Sequence, residues 1–194
     1  MPVEQVADVR TMHERVVAAA ADLTLEVGWA GVTMGKLAVR VGVSRQTVYN
    51  EVGSKPQLAE QMVLAELSKF LAAVDVAFDR HPTDLIAAIR DASRGVLELA
   101  QTNALLQAVV SRSYGAETEL LPLLTTRNDA LVLAATQAVE ARIGAYPIDL
   151  DDRQRGAAVD MVVRLVLSHV IHPTGAPEAT ADDIAWIAGQ ALRT

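Results

Sequence analysis

Between Thr33 and Lys55 the chain sets out polar side chains suited to hydrogen bonding with a nucleic acid: Thr33, Ser44, Arg45, Gln46, Thr47, Tyr49, Asn50 and Lys55. Arg45 and Gln46 carry the donor and acceptor geometry that pairs with guanine or adenine edges in a major groove. Tyr49 can stack and reach a phosphate. Lys55 lies between Ser54 and Pro56, an order that opens a helix with a cap and a first-turn proline and turns backbone N–H groups and an ammonium toward a phosphate. Thr33 is placed for a second backbone contact.

Such side chains need elements that hold them in register. Thr33 can cap a helix whose inward positions are Leu37, Ala38 and Val41, and Gly42-Val43 ends it in a tight turn that requires a positive φ. Ala38 is small where two helices cross closely. Ser44 caps a second, short helix over about 44–50, with Val48 as its main apolar anchor and the rest of its surface polar. Two helices joined through a turn of about four residues form a helix-turn-helix, whose second helix enters a major groove. Upstream, Val16, Val17, Ala20, Leu23 and Val27 recur at helical spacing between about Thr11 and Val27, a stripe that should pack across the pair. Arg10 and His13 at its start are either further backbone contacts or solvated surface. Residues 1–9 read as a loose lead-in.

The ordered set Val27-Gly28-Trp29, Thr33, Gly42-Val43-Ser44, Thr47-Val48-Tyr49 and Ser54-Lys55 with Leu58 resembles the N-terminal domain of the TetR family of transcriptional regulators, over about residues 11 to 60. Three positions depart from that pattern: Val52 stands where the family usually has Phe, Glu51 brings an acid near the DNA-facing surface, and Pro56 replaces the usual acid. These touch packing and affinity and leave the recognition-helix register alone. The stretch from Tyr49 to Lys55 and the segment ELLPLLTT (119–126) are similar to actinobacterial regulators of alkane or fatty-acid metabolism. The resemblance implies a ligand-responsive repressor that binds a palindromic operator as a homodimer and is released by a small effector. A bare helix-turn-helix shape also occurs in domains that never touch nucleic acid, and a helical enzyme or protein-binding module that does not use DNA stays open as the alternative.

The net charge of −7 is at odds with a DNA partner until it is divided along the chain. The first 55 residues carry six basic side chains (Arg10, Arg15, Lys36, Arg40, Arg45, Lys55) and six acidic ones, and the other 11 basic and 18 acidic residues lie beyond. The acidity therefore belongs to the C-terminal part, and a neutral reading head can still present its cations on one face. Hydrophobic residues make up 51% and aromatics only 4%, which favours Ala, Val and Leu packing between helices. With no cysteine, disulfides, thiol catalysis and cysteine-ligated metals are excluded. Neither a signal-peptide pattern nor an uncharged run of about 20 residues is present, so the expectation is a soluble, cytoplasmic protein with no membrane association.

From Lys55 an apolar periodicity continues through Leu58, Met62, Leu67, Leu71, Val74 and Phe78 to His81-Pro82. Further helices are expected from Thr83-Asp84 to about Ala100, from Asn103 to near Tyr114-Gly115, from Thr126 to about Ile143, from Asp149 or Asp151 to Ile171, and after a cap at Thr180-Ala181-Asp182-Asp183. Pro122 makes ELLPLL a short irregular helix or a loop. The expected fold is all-α: a three-helix DNA-binding domain at 1–54 and a ligand-binding and dimerisation domain of about six helices at 55–194.

Segment 159–171 is apolar nearly all round and, with Ile184, Ile187 and Ala188, exceeds what one helix face buries in a monomer. A homodimer through about 157–171 and 180–193 is expected, the alternative being a central helix buried within a monomer. Dimerisation supplies a second half-site about one DNA turn away. By the resemblance, an apolar effector would sit among Leu71, Val74, Phe78, Leu97, Asn103, Leu106, Gln107, Val110, Leu131, Ala134, Ala138, Val163 and Leu167. Asn103, Gln107, Arg112, Arg164 and His169 are polar groups within apolar stretches and need partners, a ligand or a neighbour; Arg164 can pair with Asp160 four residues earlier.

Catalysis and metal binding find little support. His169 and His172 are spaced to chelate but lack a third ligand. Asp149, Asp151 and Asp152 read as a helix-start charge set, without the spacing or glycine of a calcium loop. No phosphate-binding glycine loop, nucleophile elbow or paired catalytic acids appear, so no enzyme, cofactor or metal site is expected.

Overall fold

The computed structural model describes residues 10–111, 120–126 and 128–192. Among them the regular structure is helical throughout and no strand occurs. The chain divides into two compact units that meet between Met62 and Val63, a division that falls inside one long helix.

The first unit holds α1 (Met12–Val27), a single 3-10 turn (Trp29–Gly31), α2 (Met34–Val41), α3 (Arg45–Val52) and the start of α4 (Lys55–Arg80). In its core the expected Val16, Ala20, Leu37, Val48 and Leu58 are fully buried and Met62 nearly so, joined by Trp29, Val32 and Val52 from outside the expected stripes. Thr24, in the last turn of α1, is buried because its hydroxyl donates to the Ala20 carbonyl at 2.7 Å. Val27 departs from the expected stripe, remaining 48% exposed. It is the last residue of α1, and its methyl group lies over Gly31 instead of the core, where an added Cβ would come within 2.9 Å. Val41, at the end of α2, is only half-buried.

In the second unit α4 continues to Arg80, followed by α5 (Leu85–Thr102), α6 (Ala104–Ser111), α7 (Leu121–Leu124), α8 (Asp129–Ile143), α9 (Asp152–Ile171) and α10 (Pro177–Ala191). Its core gathers Leu67, Val74 and Phe78 of α4, Ala88, Ile89 and Val96 of α5, Leu131 and Ile143 of α8, Val159 and Val163 of α9, and Ile184 and Ala188 of α10. Tyr146 closes one end of it, packing edge-on against Phe78 at 5.9 Å while its hydroxyl donates to the His81 carbonyl at 2.7 Å.

Several boundaries differ from the expected ones for local reasons. α10 begins at Pro177, not after Thr180; a proline suits the first helical position, and Thr180 and Ala181 are buried inside the helix. Asp151, not Asp149, caps α9, in a reciprocal pair with Gln154. α8 starts at Asp129 rather than Thr126, and α5 runs on to Thr102. Pro122 leaves α7 a single turn. Of the residues expected at a dimer surface, Ile184 and Ala188 point into their own core, whereas Ile187 is 43% exposed. The lead-in at 1–9, the end expected near Tyr114-Gly115 for the helix from Asn103, Arg112 and Glu119 lie outside the described residues.

Candidate nucleic-acid interface

The helix-turn-helix is built from capped ends. Thr33 Oγ1 accepts from Lys36 N at 3.2 Å and starts α2; Gly42, at φ 78°, ends it in the left-handed conformation. Ser44 Oγ then accepts from Thr47 N at 3.0 Å and lies 2.9 Å from the Thr47 hydroxyl. Those bonds fix the first turn of α3, the part of a recognition helix that meets base edges.

Burial sorts α3 cleanly into two faces. Val48 and Val52 anchor it, at 0% and 1% exposure. Ser44, Arg45, Gln46, Tyr49 and Asn50 are exposed and Thr47 half-exposed. Gln46 and Asn50, one helical turn apart, are joined by an amide hydrogen bond of 2.9 Å. The side chain of Arg45 passes beside Gly35 at the start of α2, a glycine that the Thr33 hydroxyl also borders. Sequence-expected Thr33, Ser44, Arg45, Gln46, Thr47, Tyr49 and Asn50 are thus assembled on two adjoining helix starts and one outward face.

Lys55, expected to face a phosphate, is also held from within the protein. Its Nζ donates to the Trp29 carbonyl at 2.9 Å and lies 4.8 Å from the centre of the Trp29 ring. An ammonium has three donors, so this contact leaves capacity for a phosphate while fixing where the charge stands. Trp29 is therefore part of the site, pinning the lysine that opens α4, which spacing alone did not reveal. Two further cations of this unit are engaged nearby: Lys36 Nζ donates to the Gly31 carbonyl at 2.8 Å, and Arg40 pairs with Glu26. His13, read from the sequence as a DNA-backbone contact or a solvated group, is half-buried, and its Nδ1 lies 3.0 Å from the Glu51 carbonyl.

In the second unit the expected effector-lining residues separate. Val74, Phe78, Leu131 and Val163 belong to the core, with Leu71, Ala134 and Leu167 packed against it; Leu97 and Leu106 are buried, and Val110 and Ala138 half-buried. The polar candidates have partners. Asn103 Nδ2 donates to Glu66 at 2.8 Å and its Oδ1 accepts from Leu106 N at 2.8 Å, capping α6. Gln107 donates to the Ala100 carbonyl at 3.1 Å, His169 Nδ1 to the Leu165 carbonyl at 2.8 Å, and Arg164 to Asp160 at 2.8 Å. Leu97, Gln107 and His169 come together with Thr180 around a small cavity of about 20 Å³. Among the described residues no cluster of three or more His, Cys, Asp or Glu could hold a metal, and no helix is long and apolar enough to cross a membrane.

Architecture and surface define a helix-turn-helix protein of the DNA-binding kind, with a larger helical unit following in the chain. Residues 16–62 match the model of the bacterial regulatory proteins of the tetR family, and residues 84–190 match that of the bacterial tetracyclin repressor C-terminal domain. The chain belongs to the TetR family of transcriptional regulators. It is 27% identical over 175 residues to the HTH-type transcriptional regulator AlkX of Mycobacterium tuberculosis, covering 90% of this chain and 82% of that one. Among solved structures it resembles the TetR family repressor AlkX from Dietzia sp. strain DQ12-45-1b, implicated in biodegradation of n-alkanes, with a TM-score of 0.75, 26% identity, and coverage of 93% and 95% of the two chains. The fold is shared also with the Rhodococcus erythropolis repressor QsdR, at a TM-score of 0.61 and 18% identity over 94% and 96% of the chains. The family and these relatives are transcriptional regulators, not enzymes.

Proposed function

We propose that the chain is a cytoplasmic homodimeric repressor that binds a palindromic operator through residues 1–54 and is released by a small apolar effector held within 55–194. The observation that carries the DNA reading is the division of α3, whose valines are wholly buried while Ser44, Arg45, Gln46, Tyr49 and Asn50 are left exposed on a helix with a capped first turn. Arg45 and Gln46 read bases; Thr33, Thr47, Tyr49 and Lys55 hold the phosphate backbone. Support for the dimer comes from apolar side chains left in solvent near the C-terminus: Met161 is 65% and Trp186 66% exposed, and Ile187 accompanies them. With Gln107 bonded to Ala100 and Asn103 to Glu66, the guest would be held by apolar side chains, Leu71, Val74, Phe78, Leu131, Ala134, Ala138, Val163 and Leu167, and the n-alkane link of the Dietzia relative supports an aliphatic chain as the effector class. Effector binding would favour a packing of the second unit in which α4, continuous from Lys55 to Arg80, shifts and changes the spacing of the two reading heads.

Selection of duplexes by the purified protein from a randomised pool tests this reading. The expected product is an inverted repeat with half-site centres about one helical turn apart, released when a medium-chain alkane or fatty acid is added. A pool that shows no enrichment after repeated rounds overturns DNA binding. An enriched duplex without dyad symmetry overturns the dimer.

A further inference from the structure

The carbonyls that end α2 and α3 are satisfied by side chains from helices outside the pair. The last carbonyls of a helix have no partner within it and must find one elsewhere. At the end of α2, the Val41 carbonyl accepts from Arg15 Nη2 of α1 at 3.2 Å. At the end of α3, the Glu51 carbonyl lies 3.0 Å from Nδ1 of His13, also on α1; a carbonyl only accepts, so Nδ1 bears the proton. The next carbonyl, that of Val52, accepts from Gln61 Nε2 of α4 at 3.4 Å. His13 and Arg15 are two residues apart and half-buried, and they reach across 38 and 26 residues of sequence to the two helices whose mutual angle sets the reading geometry. Positive or donor groups at helix C-termini are also favoured by the helix dipole. Neither side chain lies within the 16–62 segment that matches the family model.

We infer that His13 and Arg15 are positioning residues for DNA recognition: together they clamp the C-terminal ends of α2 and α3 to α1 and hold the recognition helix at its reading angle without touching DNA. The inference rests on the DNA reading proposed above, and it makes a structural claim of its own about the free protein. Arg15 approaches α2 only where Gly42 turns the chain away, which leaves the Val41 carbonyl open to it. His13 does the same where Gly53, at φ 70°, ends α3. One helix thus fixes both partners of the pair through two separate bonds.

The test uses the full chain, with His13→Phe and Arg15→Met removing each donor while keeping bulk, and His13→Asn, whose amide nitrogen can take the place of Nδ1, as the conservative variant. Two readouts are needed. In the free protein, amide exchange at the C-terminal turn of α3 should quicken in His13→Phe, on the order of fivefold, and return toward wild type in His13→Asn. On a duplex enriched by the wild-type protein, each donor-less variant should lose affinity, by roughly three- to tenfold, with more lost on that duplex than on a scrambled one. The slope of log affinity against log salt should stay unchanged, whereas removing a phosphate contact lowers it by about one. Unchanged exchange in α3, or failure of His13→Asn to restore it, overturns the clamp. A salt slope lowered by one in Arg15→Met overturns it too, by making the side chain a phosphate contact. If the wild-type protein enriches no duplex, the proposed function falls, and the clamp is judged by exchange alone.

Discussion

The two units of this chain present their polar groups in opposite ways. In the reading unit the polar residues of α3 stand in solvent on a helix whose anchors are Val48 and Val52, so a row of donors and acceptors is left for something outside the protein. In the second unit four polar residues that interrupt apolar helices are answered from within, Asn103 by Glu66 and Leu106, Gln107 by Ala100, His169 by Leu165 and Arg164 by Asp160, while the buried Thr136 hydroxyl of α8 is left without a partner. A site made of polar groups facing solvent declares itself by residue type and spacing. A site made by the space between side chains does not, because the same leucines and alanines serve a filled core and a lined pocket.

The largest effect that separates the units is expected at Trp29. It is 1% exposed, it closes the reading unit's core, and its carbonyl and ring hold Lys55. Trp29→Ala should destabilise that unit by about 3–5 kcal/mol, most of what a domain of this size has to lose. Segment-resolved amide exchange should show protection lost from α1 to α3 while α5, α8 and α10 keep theirs. Equal loss in both would mean the units unfold as one body and would break the contrast.

Arg45→Ala comes next. The side chain is exposed and passes beside Gly35, so its removal leaves the fold's melting temperature in place. It should weaken binding to a selected duplex by about 1–3 kcal/mol and relax preference at one base position. An equal loss on selected and scrambled duplexes would make Arg45 a phosphate contact. Ser44→Ala lies just below it, at about 1 kcal/mol of stability for the lost cap of α3, with a parallel loss of DNA affinity that Ser44→Thr should largely recover.

How far the sequence could be read follows from the same contrast. Caps carried most of the fold: Thr33, Ser44, Asp84, Asn103 and Asp151 announce helix starts with local bonds of three residues' reach, and the structure has each of them bonded as its spacing asks. Where no capping side chain exists the start was misplaced, as at α10, whose first residue is set by Pro177 after an Ala176 that makes no cap bond. The outward residues of α3 were legible because a short helix with two valine anchors has little else to offer. Trp29 beneath Lys55, and Arg15 and His13 against distant carbonyls, were not, since bonds that span 26 to 38 residues leave no local periodicity. Exposure at Met161 and Trp186 was likewise hidden: an apolar helix shows its excess in sequence but not which side of it the core leaves uncovered.

The smallest effect tests whether pH reaches the second unit alone. Asp91 of α5 has a side chain only 16% exposed and accepts from Arg94 at 3.0 Å and Arg80 at 3.3 Å, with His81 at 3.5 Å. Burial works to raise its pKa, but the Arg80 hydrogen bond and the charges of Arg94, Arg80 and His81 outweigh burial and hold it below the ordinary carboxylate value. A carboxylate with a depressed folded pKa binds its proton less readily folded than unfolded. Its contribution is therefore fully present above the unfolded value, about 3.9, and fades as pH falls through the lower folded value. Asp91→Asn should flatten the acid limb of the second unit's stability curve below about pH 4. At neutral pH it should cost only a small amount, because Arg80 and Arg94 are themselves largely in solvent. Exchange protection followed against pH, unit by unit, checks the assignment. If the variant flattens the acid response of α1 to α3 as much as that of α5, the ion cluster supports both units, and the separation between an outward-facing reader and a largely self-satisfied core would have to be drawn less sharply.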